Sequence, residues 1–402
     1  MERRYIAQVV ILILFLLCSS VESNRNVKKI QKLKDRVEVF CEPSSTFQKL
    51  VTGFHFEEFT IETGDHYLLK VFRVRRNKEP IERPPVLLIH GIVDSADDWG
   101  INDNSILHNL IVHEHDVWLL NTRGNKYSCR HTTIPSSWAK FWDFSFDEMG
   151  KYDVPATVKY ISSLLKKKVA ILAHSQGTTQ TFVAFAEIPN MSDYVSRFLA
   201  LAPIVYLTGF DKNSIYNFMI THKFLESVEK VGINRILEHK LNGNWASDWL
   251  LRLFCSTRMS ICNFLMSKIT DKDPSKVDPK IYRRLLEHNP SRTNVKSVKH
   301  FVQQVVHYNG YLNKFDYGKK ENLKRYGQID PPAYDVKNLN VPSFFFYGDN
   351  DLFLTEKTIE KLREDFPKSH YHFYPGWGHL CYFIGKETRP LINEILADLK
   401  EN

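Results

Sequence analysis

A serine, an aspartate and a histidine occur in settings where together they would catalyse acyl transfer. Ser175 follows the short apolar run Val169–Leu172 and has the small residues Ala173 and Gly177 two positions away on either side. A serine is a weak nucleophile alone, so it needs a neighbouring base, and the base needs an acid to orient it. Small residues around a serine between a strand and a helix predict that Ser175 is the nucleophile of such a set.

The acid is expected on the loop after a late strand, because the chain order in this arrangement is serine, acid, histidine. The apolar run Phe344–Tyr347 predicts that strand, and both Asp349 and Asp351 follow it. We favour Asp351, which lies two residues further out on the loop, and Asp349 is the alternative. Either aspartate would otherwise serve as a turn or helix-capping residue.

The base is expected after the last strand and before the C-terminal helix. Among the 16 histidines, His379 occupies that place, in a loop whose glycines allow a tight turn. His372 lies within the preceding strand pattern and His174 within the serine turn, so we interpret both as structural. The predicted catalytic triad is therefore Ser175, Asp351 and His379.

Acyl transfer also requires two backbone N–H groups that point at the negative charge developing on the carbonyl oxygen. One is expected from Gln176, the residue after the nucleophile. The other is expected from the loop that begins at His90 and Gly91, which indicates Ile92. A glycine fits there because the backbone must approach the substrate closely, although an ordinary strand-end turn is the alternative.

Short apolar strands alternating with helical patterns would position these residues. They predict an α/β fold, that of the α/β-hydrolases, with a mainly parallel central sheet flanked by helices on both faces. An alternating segment around Thr63-Gly64-Asp65 predicts a preceding hairpin. The predicted sheet strands are Val86–Ile89, Asp116–Leu120, Val169–Leu172, Phe198–Pro203, Val341–Tyr347 and His370–Tyr374.

The stretch 207–326 departs from this alternation of strands and helices, since it has amphipathic helical patterns and no convincing core strand. We interpret it as a helical cap or lid, inserted between two strands and placed over their carboxyl ends. The hydrolase core would then consist of residues 24–206, which contain the nucleophile, and residues 327–402, which contain the acid and the base.

Residues 1–23 combine a basic head, a short apolar run and small residues, which is typical of a secretory signal peptide; an uncleaved signal anchor is the alternative. Export would place the remaining cysteines, an odd number, in an oxidising compartment. Cys255 and Cys262 are near enough in sequence to close a small loop, and at least one thiol would stay free or pair between chains. Asn190 opens a lone glycosylation sequon.

Composition argues against several other classes of protein. The 402 residues are 43% hydrophobic, enough for a large core and an insertion. The net charge of +8 comes from scattered basic residues, so nucleic-acid binding is not expected and contact with a lipid surface would be peripheral. The sequence lacks His-Glu-x-x-His, paired Cys-x-x-Cys and a glycine-rich phosphate loop, so neither a metal nor a cofactor is expected.

With these residues in place, the sequence resembles the acid lipase family of animals, which includes lysosomal acid lipase, gastric lipase and insect relatives. The resemblance extends from about Gly53 to the C-terminal helix. It is carried by the segments Thr63–Leu69, His90–Trp99, Asp116–Leu119, Asn121–Asn125, Phe141–Met149, Tyr152–Thr157, His174–Thr178 and Pro331–Tyr334.

The resemblance implies an α/β-hydrolase core with a cap, and hydrolysis of neutral lipid esters at a lipid–water interface. The family's nucleophile, acid and base fall on Ser175, Asp351 and His379. Its oxyanion residues fall on Gln176 and on Ile92, where leucine is usual. Only the backbone N–H of that residue takes part, so the change of side chain has little effect.

The sequence departs from the family at several positions. Ala173 stands where glycine is usual, Cys381 replaces a common aspartate, and the residues Leu352–Thr355 after the acid differ from the usual Leu-Ala-Asp. The family's cap disulfide would fall on Cys255 and Cys262, which are closer together than in the mammalian members.

The leading hypothesis is therefore a secreted or lysosomal lipase that acts on triacylglycerols, sterol esters or both. One alternative is a non-catalytic lipid-binding or carrier protein on the same fold, which the presence of all three triad residues disfavours. The other is a short-chain carboxylesterase, which the apolar cap and the family resemblance disfavour.

Overall fold

The computed structural model describes residues 41–230, 234–236, 270–308 and 310–400. The predicted signal peptide, residues 1–23, and the cysteines Cys255 and Cys262 lie outside the described residues. Within the described residues, a hairpin comes first and short buried strands then alternate with helices. This order is the one that the sequence predicts for an α/β fold.

Most of the strands form one sheet. In chain order they are β1 His55–Glu62, β2 Tyr67–Arg75, β3 Val86–Ile89, β4 Val117–Leu120, β5 Arg130–His131, β6 Val169–His174, β7 Val195–Leu201, β8 Arg235–Ile236, β9 Thr293–Asn294, β10 Ser343–Gly348 and β11 His370–Tyr374. The neighbour order in the central sheet is β1-β2-β4-β3-β6-β7-β10-β11, with β5 paired to β2. β1 and β2 form the predicted antiparallel hairpin, whereas β3, β4, β6, β7, β10 and β11 are parallel. The prediction of a mainly parallel sheet is confirmed.

The register of the parallel strands brings their carboxyl ends to one edge. Ile89, the last residue of β3, pairs with Ala173 of β6, which in turn pairs with Ala200 of β7. Gly348, the last residue of β10, pairs with Tyr374, the last residue of β11. Because parallel strands end together, the loops that follow β3, β6, β10 and β11 meet at this edge.

Helices cover both faces of the sheet, which is why its central strands are apolar on both sides. The described helices are α1 Ser45–Gln48, α2 Ile106–Val112, α3 Phe146–Glu148, α4 Val154–Leu165, α5 Gln176–Glu187, α6 Lys212–Lys230, α7 Pro279–His288, α8 Val295–His307, α9 Lys319–Tyr326, α10 Glu356–Asp365, α11 Cys381–Ile384 and α12 Arg389–Asp398. In β3, Val86 and Leu88 pack on the face covered by α2 and α12, and Leu87 and Ile89 pack on the face covered by α4, α5 and α10. None of the described helices combines the length and the apolarity that a bilayer span requires.

The chain between β7 and β10 is mainly helical where the structure describes it. Its described helices are α6 to α9, and Leu225 of α6 packs against Val295 and Val302 of α8. β8 and β9 form a separate antiparallel pair that does not join the central sheet. The sequence predicts helices here and no core strand; the short β8–β9 pair is an addition, because two-residue strands are too short to produce an alternating pattern.

A disulfide joins Cys41, before α1, to Cys129, on the loop between β4 and β5, with the two Cα atoms 5.5 Å apart. Neither cysteine lies in a sequence pattern that predicts its partner. Among the described cysteines, Cys381 is the free thiol, and it is buried. The disulfide therefore ties the segment that precedes the sheet to a loop beyond its fourth strand.

Candidate active site

Ser175 forms the turn between β6 and α5. Its backbone has φ 52° and ψ −122°, a conformation that costs a non-glycine residue on the order of 1–3 kcal/mol. The surroundings hold it in place, since the N–H of Ser175 donates to the carbonyl of Leu201 at 3.1 Å. The N–H and the hydroxyl of Thr178 both donate to the carbonyl of Ser175. The strained turn sets the serine at the carboxyl edge of the sheet.

Small residues around Ser175 allow the end of β3, the loop after it and the start of α5 to pack closely. A Cβ added to Gly177 would lie 2.5 Å from the carbonyl oxygen of Ile89, and one added to Gly91 would lie 3.1 Å from Cβ of Ser175. Ala173 is fully buried and belongs to the hydrophobic cluster on the α4 and α5 face. The methyl that replaces the usual glycine hydrogen at this position therefore packs in the core.

The three residues of the predicted triad lie within hydrogen-bonding distance of one another. Nε2 of His379 is 2.8 Å from Oγ of Ser175, and Nδ1 of His379 is 2.7 Å from Oδ2 of Asp351. The other oxygen of Asp351 accepts the N–H of Phe353 at 2.8 Å. Ser175, His379 and Asp351 are 7%, 5% and 1% exposed, so these bonds are largely shielded from water.

The surroundings of His379 favour one tautomer and a raised basicity. With a carboxylate at Nδ1 and a hydroxyl at Nε2, Nδ1–H donates to Asp351 and Nε2 accepts from Ser175. Burial alone would lower the pKa of His379, but the charge and hydrogen bond of Asp351, together with the charge of Asp271, raise it above its ordinary value. The imidazole is therefore poised to take a proton from the hydroxyl as that oxygen attacks a carbonyl carbon.

The residues that compete with the triad in sequence have other contacts. Asp349 is exposed, and its carboxylate accepts a main-chain N–H of the loop before His379. Nε2 of His372 in β11 lies 2.9 Å from Oδ2 of Asp398 in α12. Nε2 of His174 lies 2.9 Å from the carbonyl oxygen of His379, and the two rings pack 4.9 Å apart. These three side chains therefore contact the elements around the site.

The predicted oxyanion donors flank the serine. Gln176 is the first residue of α5, so its N–H has no acceptor within the helix. Ile92 follows Gly91, where an added Cβ would lie 3.1 Å from Cβ of Ser175, so the backbone of this loop approaches the serine closely. The next residue, Val93, has φ 58°, which is unusual for a β-branched side chain. Its carbonyl accepts the N–H of Ser291 at 2.6 Å, so the segment between β9 and α7 helps to hold this loop.

Two buried groups beside the triad are absent from the sequence predictions. Nδ1 of His90 lies 2.8 Å from the carbonyl oxygen of Gly91, and the carboxylate of Asp271 accepts the main-chain N–H of His379 at 2.7 Å. The first contact had a signal, because His90 directly precedes Gly91 at the strand end. The second had none, because Asp271 and His379 are 108 positions apart.

Asn190 and Cys381 differ in accessibility. Asn190, just beyond α5, is exposed to solvent. Its backbone has φ 59°. Cys381 is buried, and its sulfur accepts the N–H of Gly378 at 3.3 Å. Burial raises the pKa of the Cys381 thiol to about 12, so it is a neutral thiol. Among the described residues, no group of three or more His, Cys, Asp or Glu side chains is arranged to hold a metal ion.

Two family models match the chain. One, described as alpha/beta hydrolase fold, matches residues 84–386, and the other, described as partial alpha/beta-hydrolase lipase region, matches residues 50–103. The first covers β3 to α11 and therefore the whole edge where the triad lies. The second covers the hairpin and the loop of Ile92.

Curated relatives match over most of the chain. The gastric triacylglycerol lipase of Homo sapiens is 31% identical, with 87% of this chain and 89% of that protein covered. The lysosomal acid lipase/cholesteryl ester hydrolase of Rattus norvegicus is 29% identical, with 90% and 92% covered. Lipase 1 of Drosophila melanogaster is 30% identical, with 78% and 69% covered.

Among solved structures, the crystal structure of E-2-(acetamidomethylene)succinate hydrolase superposes with a TM-score of 0.50 at 13% identity. It covers 86% of this chain and 100% of its own, and at that identity the likeness concerns the fold alone. The family models and the curated relatives go further, since they include the lipase region and extend over most of the sequence. This chain belongs to the alpha/beta hydrolase fold family and, within it, to the lipases.

Proposed function

We propose that this chain is a secreted or lysosomal lipase that hydrolyses neutral lipid esters through an acyl-enzyme on Ser175. The observation that carries the proposal is the buried chain of hydrogen bonds from Ser175 through His379 to Asp351. A nucleophile, a base and an orienting acid in contact are what ester hydrolysis requires, and Ile92 and Gln176 are the backbone donors that we expect for the oxyanion.

The reaction follows from this geometry. Oγ of Ser175 attacks the ester carbonyl while Nε2 of His379 takes its proton, and the charge of Asp351 stabilises the imidazolium that forms. The N–H groups of Ile92 and Gln176 bind the oxyanion of the tetrahedral intermediate. His379 then gives its proton to the departing alcohol, which leaves fatty acid esterified to Ser175. A water molecule, deprotonated by His379, releases the acid and restores the serine.

The substrate class is supported by the relatives, whose names specify triacylglycerol and cholesteryl ester. We assign residues 207–326 to a cap that lies over the carboxyl edge of the sheet. The mainly helical character of the described part of this stretch, and its position between β7 and β10, support the assignment. Residues 1–23 would direct export, and Asn190 would be glycosylated on the way.

Activity on three ester classes tests the proposal. Purified protein and its Ser175→Ala variant are compared on emulsified triacylglycerol, on a cholesteryl ester and on a soluble short-chain ester. The proposal expects hydrolysis of at least one of the two lipids, and a loss of several orders of magnitude in the variant. Equal rates for both proteins would contradict it. Turnover of the soluble ester alone would indicate a short-chain esterase, and absence of turnover with intact lipid binding would indicate a carrier.

Labelling of Ser175 provides a second measurement that does not depend on the choice of lipid. A fluorophosphonate reacts with a serine only where a base activates it, so the wild-type protein is expected to be labelled and Ser175→Ala is not. His379→Ala, which keeps the hydroxyl but removes the base, is expected to lose labelling as well. Labelling of Ser175→Ala would place the reactive serine elsewhere.

A further inference from the structure

The segment 270–273 pairs with the loop that carries the acid. The N–H of Leu352 donates to the carbonyl of Thr270 at 3.0 Å, and the N–H of Lys272 donates to the carbonyl of Asn350 at 2.9 Å. These bonds form an antiparallel bridge in which Asp271 stands opposite Asp351. Asp271 is thereby held beside the acid of the triad.

The carboxylate of Asp271 is fully buried against the loop of the base. Its Oδ1 accepts the main-chain N–H of His379 at 2.7 Å, and its Oδ2 lies 4.0 Å from Sγ of Cys381. A Cβ at Gly378 would overlap the carboxyl group, so this glycine is what lets the carboxylate reach the loop. The contact fixes the backbone of the residue whose side chain acts as the base.

This carboxylate has an electrostatic as well as a geometric relation to His379. Among the described residues, no lysine or arginine forms an ion pair with Asp271, although His379 lies close enough for their charges to attract. The other titratable groups near it are Asp351 on the acid loop, Cys381 on α11 and Tyr282 on α7. Lys276, on the turn after the segment, acts on Cys381.

Burial raises the pKa of Asp271 to about 6, with the charge of Asp351 adding to the rise and that of His379 opposing it. The negative charge of Asp271 in turn raises the pKa of His379. Protonation of either group therefore weakens proton binding at the other. As the pH falls through about 6, Asp271 becomes neutral, and His379 loses one of the charges that favour its protonated form.

We propose that Asp271 is a positioning residue for the base of the triad, holding the main chain of His379 and giving the imidazolium a second negative charge beside that of Asp351. The role rests on the proposed hydrolase function of Ser175. At neutral pH, two carboxylates stabilise the imidazolium that forms as Ser175 attacks. At acid pH only Asp351 is charged, so the imidazole stays neutral, and able to accept a proton, to a lower pH than it otherwise would.

Three variants separate the charge from the hydrogen bond. Asp271→Asn keeps an oxygen for the N–H of His379 and removes the charge, whereas Asp271→Ala removes both. Asp273→Asn is the matched control, because Asp273 is exposed on the same segment and its carboxylate oxygens accept the N–H and the hydroxyl of Ser275. The measurement is kcat/KM on a soluble p-nitrophenyl ester as a function of pH, which reports the base of the free enzyme.

In Asp271→Asn, the decline of kcat/KM on the acid side is expected at lower pH than in the wild type and in Asp273→Asn. The decline in Asp271→Asn should fit the titration of a single proton, whereas the wild-type decline should extend over a broader pH range. The plateau of Asp271→Asn should fall below that of wild type, because the imidazolium loses one of its two negative charges, and the plateau of Asp271→Ala should fall further, roughly 10- to 100-fold, because the base is also displaced. A decline at the wild-type pH in Asp271→Asn would overturn the proposal.

NMR titration of His379 in protein labelled with 13C-histidine gives the same comparison without turnover. The signal is assigned by its loss in His379→Gln, and Asp271→Asn should move its titration to lower pH. An inactive wild type in which this shift is still seen would contradict the hydrolase function while supporting the pairing of the two residues. An active wild type with no shift would contradict the role of Asp271 alone.

Discussion

The side chain of His90 holds the peptide group that joins Gly91 to Ile92. Its Nδ1 lies 2.8 Å from the carbonyl oxygen of Gly91, and its Nε2 lies 3.2 Å from the N–H of Thr122. Nε2 therefore accepts and Nδ1–H donates, and burial lowers the pKa of His90 to about 4, which keeps the ring neutral. Because a peptide group is planar, fixing the carbonyl of Gly91 also fixes the direction of the N–H of Ile92.

Replacing His90 should therefore impair catalysis rather than binding. In His90→Ala the peptide is free to rotate and the oxyanion loses an aligned donor, so kcat should fall by roughly 10²- to 10³-fold with KM little changed. His115→Ala is the control, since His115 is another buried histidine with a pKa lowered to about 4 by burial. Steady-state kinetics of both variants checks this, and equal kcat values would refute it.

Mutation of the two candidate acids should have very different effects on kcat. Asp351→Asn keeps the shape of the side chain but stabilises the wrong tautomer of His379, so kcat should fall by roughly 10⁴-fold. Asp349→Asn should stay within a few-fold of wild type, because Asp349 is exposed and its carboxylate accepts a main-chain N–H of the neighbouring loop. Combining Asp351→Asn with Ser175→Ala should cost little more than Ser175→Ala alone. The reverse ranking of the two aspartates would contradict the assignment of the acid.

The disulfide between Cys41 and Cys129 should matter for stability and little for chemistry. It spans 88 positions, and removing a crosslink across so long a loop costs about 2–5 kcal/mol. The double variant Cys41→Ser and Cys129→Ser should therefore unfold at lower urea concentration, while the folded fraction keeps its kcat. Cys381→Ala, which leaves the disulfide in place, is the comparison in the same urea titration. An unchanged midpoint in the double variant would show that the crosslink contributes nothing.

Acid should weaken the fold through His300. Burial lowers the pKa of His300 to about 3, and the neutral ring stacks on Phe146 with centroids 3.7 Å apart. An unfolded chain binds the proton near pH 6.5, so between about pH 6.5 and 3 the unfolded state holds more protons than the folded state at this residue. The contribution of His300 to the free energy of unfolding is thus fully present above pH 6.5 and declines as the pH falls through that window.

His300→Gln tests this sign. The variant should be less stable than wild type at pH 7, and the difference should shrink between pH 6.5 and 4, because glutamine has no proton to gain. His307→Gln, at an exposed site, should follow the wild type throughout. Urea unfolding at pH 7.0, 5.5 and 4.5 is the measurement. A constant difference between His300→Gln and wild type would contradict the argument.

Local sequence patterns predict most of the fold, because a few adjacent residues are enough to indicate each strand, helix or turn. Val86–Ile89 and Phe344–Tyr347 are short apolar runs between turn signals, and both are strands of the central sheet. The turn at Ser175 is recognisable for the same reason: the strand, the small neighbours and the helix are consecutive in sequence. The place of His379 after the last strand follows from topology rather than from its own side chain.

Pairings between distant residues have no such signal. The disulfide of Cys41 with Cys129 and the contact of Asp271 with His379 join residues 88 and 108 positions apart, and neither Cys41, Cys129 nor Asp271 lies in a distinctive pattern. His90 is intermediate, because its neighbour Gly91 is recognisable in the sequence but its hydrogen bond with Thr122 depends on where β4 ends. These contacts depend on how all the loops at the sheet edge pack together. The residues of one sequence segment carry no information about that packing.

The distance of 204 positions between Ser175 and His379 determines when in synthesis the chain becomes reactive. A nascent chain that has been translated as far as β7 contains Ser175, whereas Asp351 and His379 are still to be translated. In the proposed mechanism, the hydroxyl gains its acid and its base only through β10 and β11, which pair with β7 and with each other. The last strands of the sheet, and not the serine turn, therefore complete the arrangement that would make Ser175 reactive.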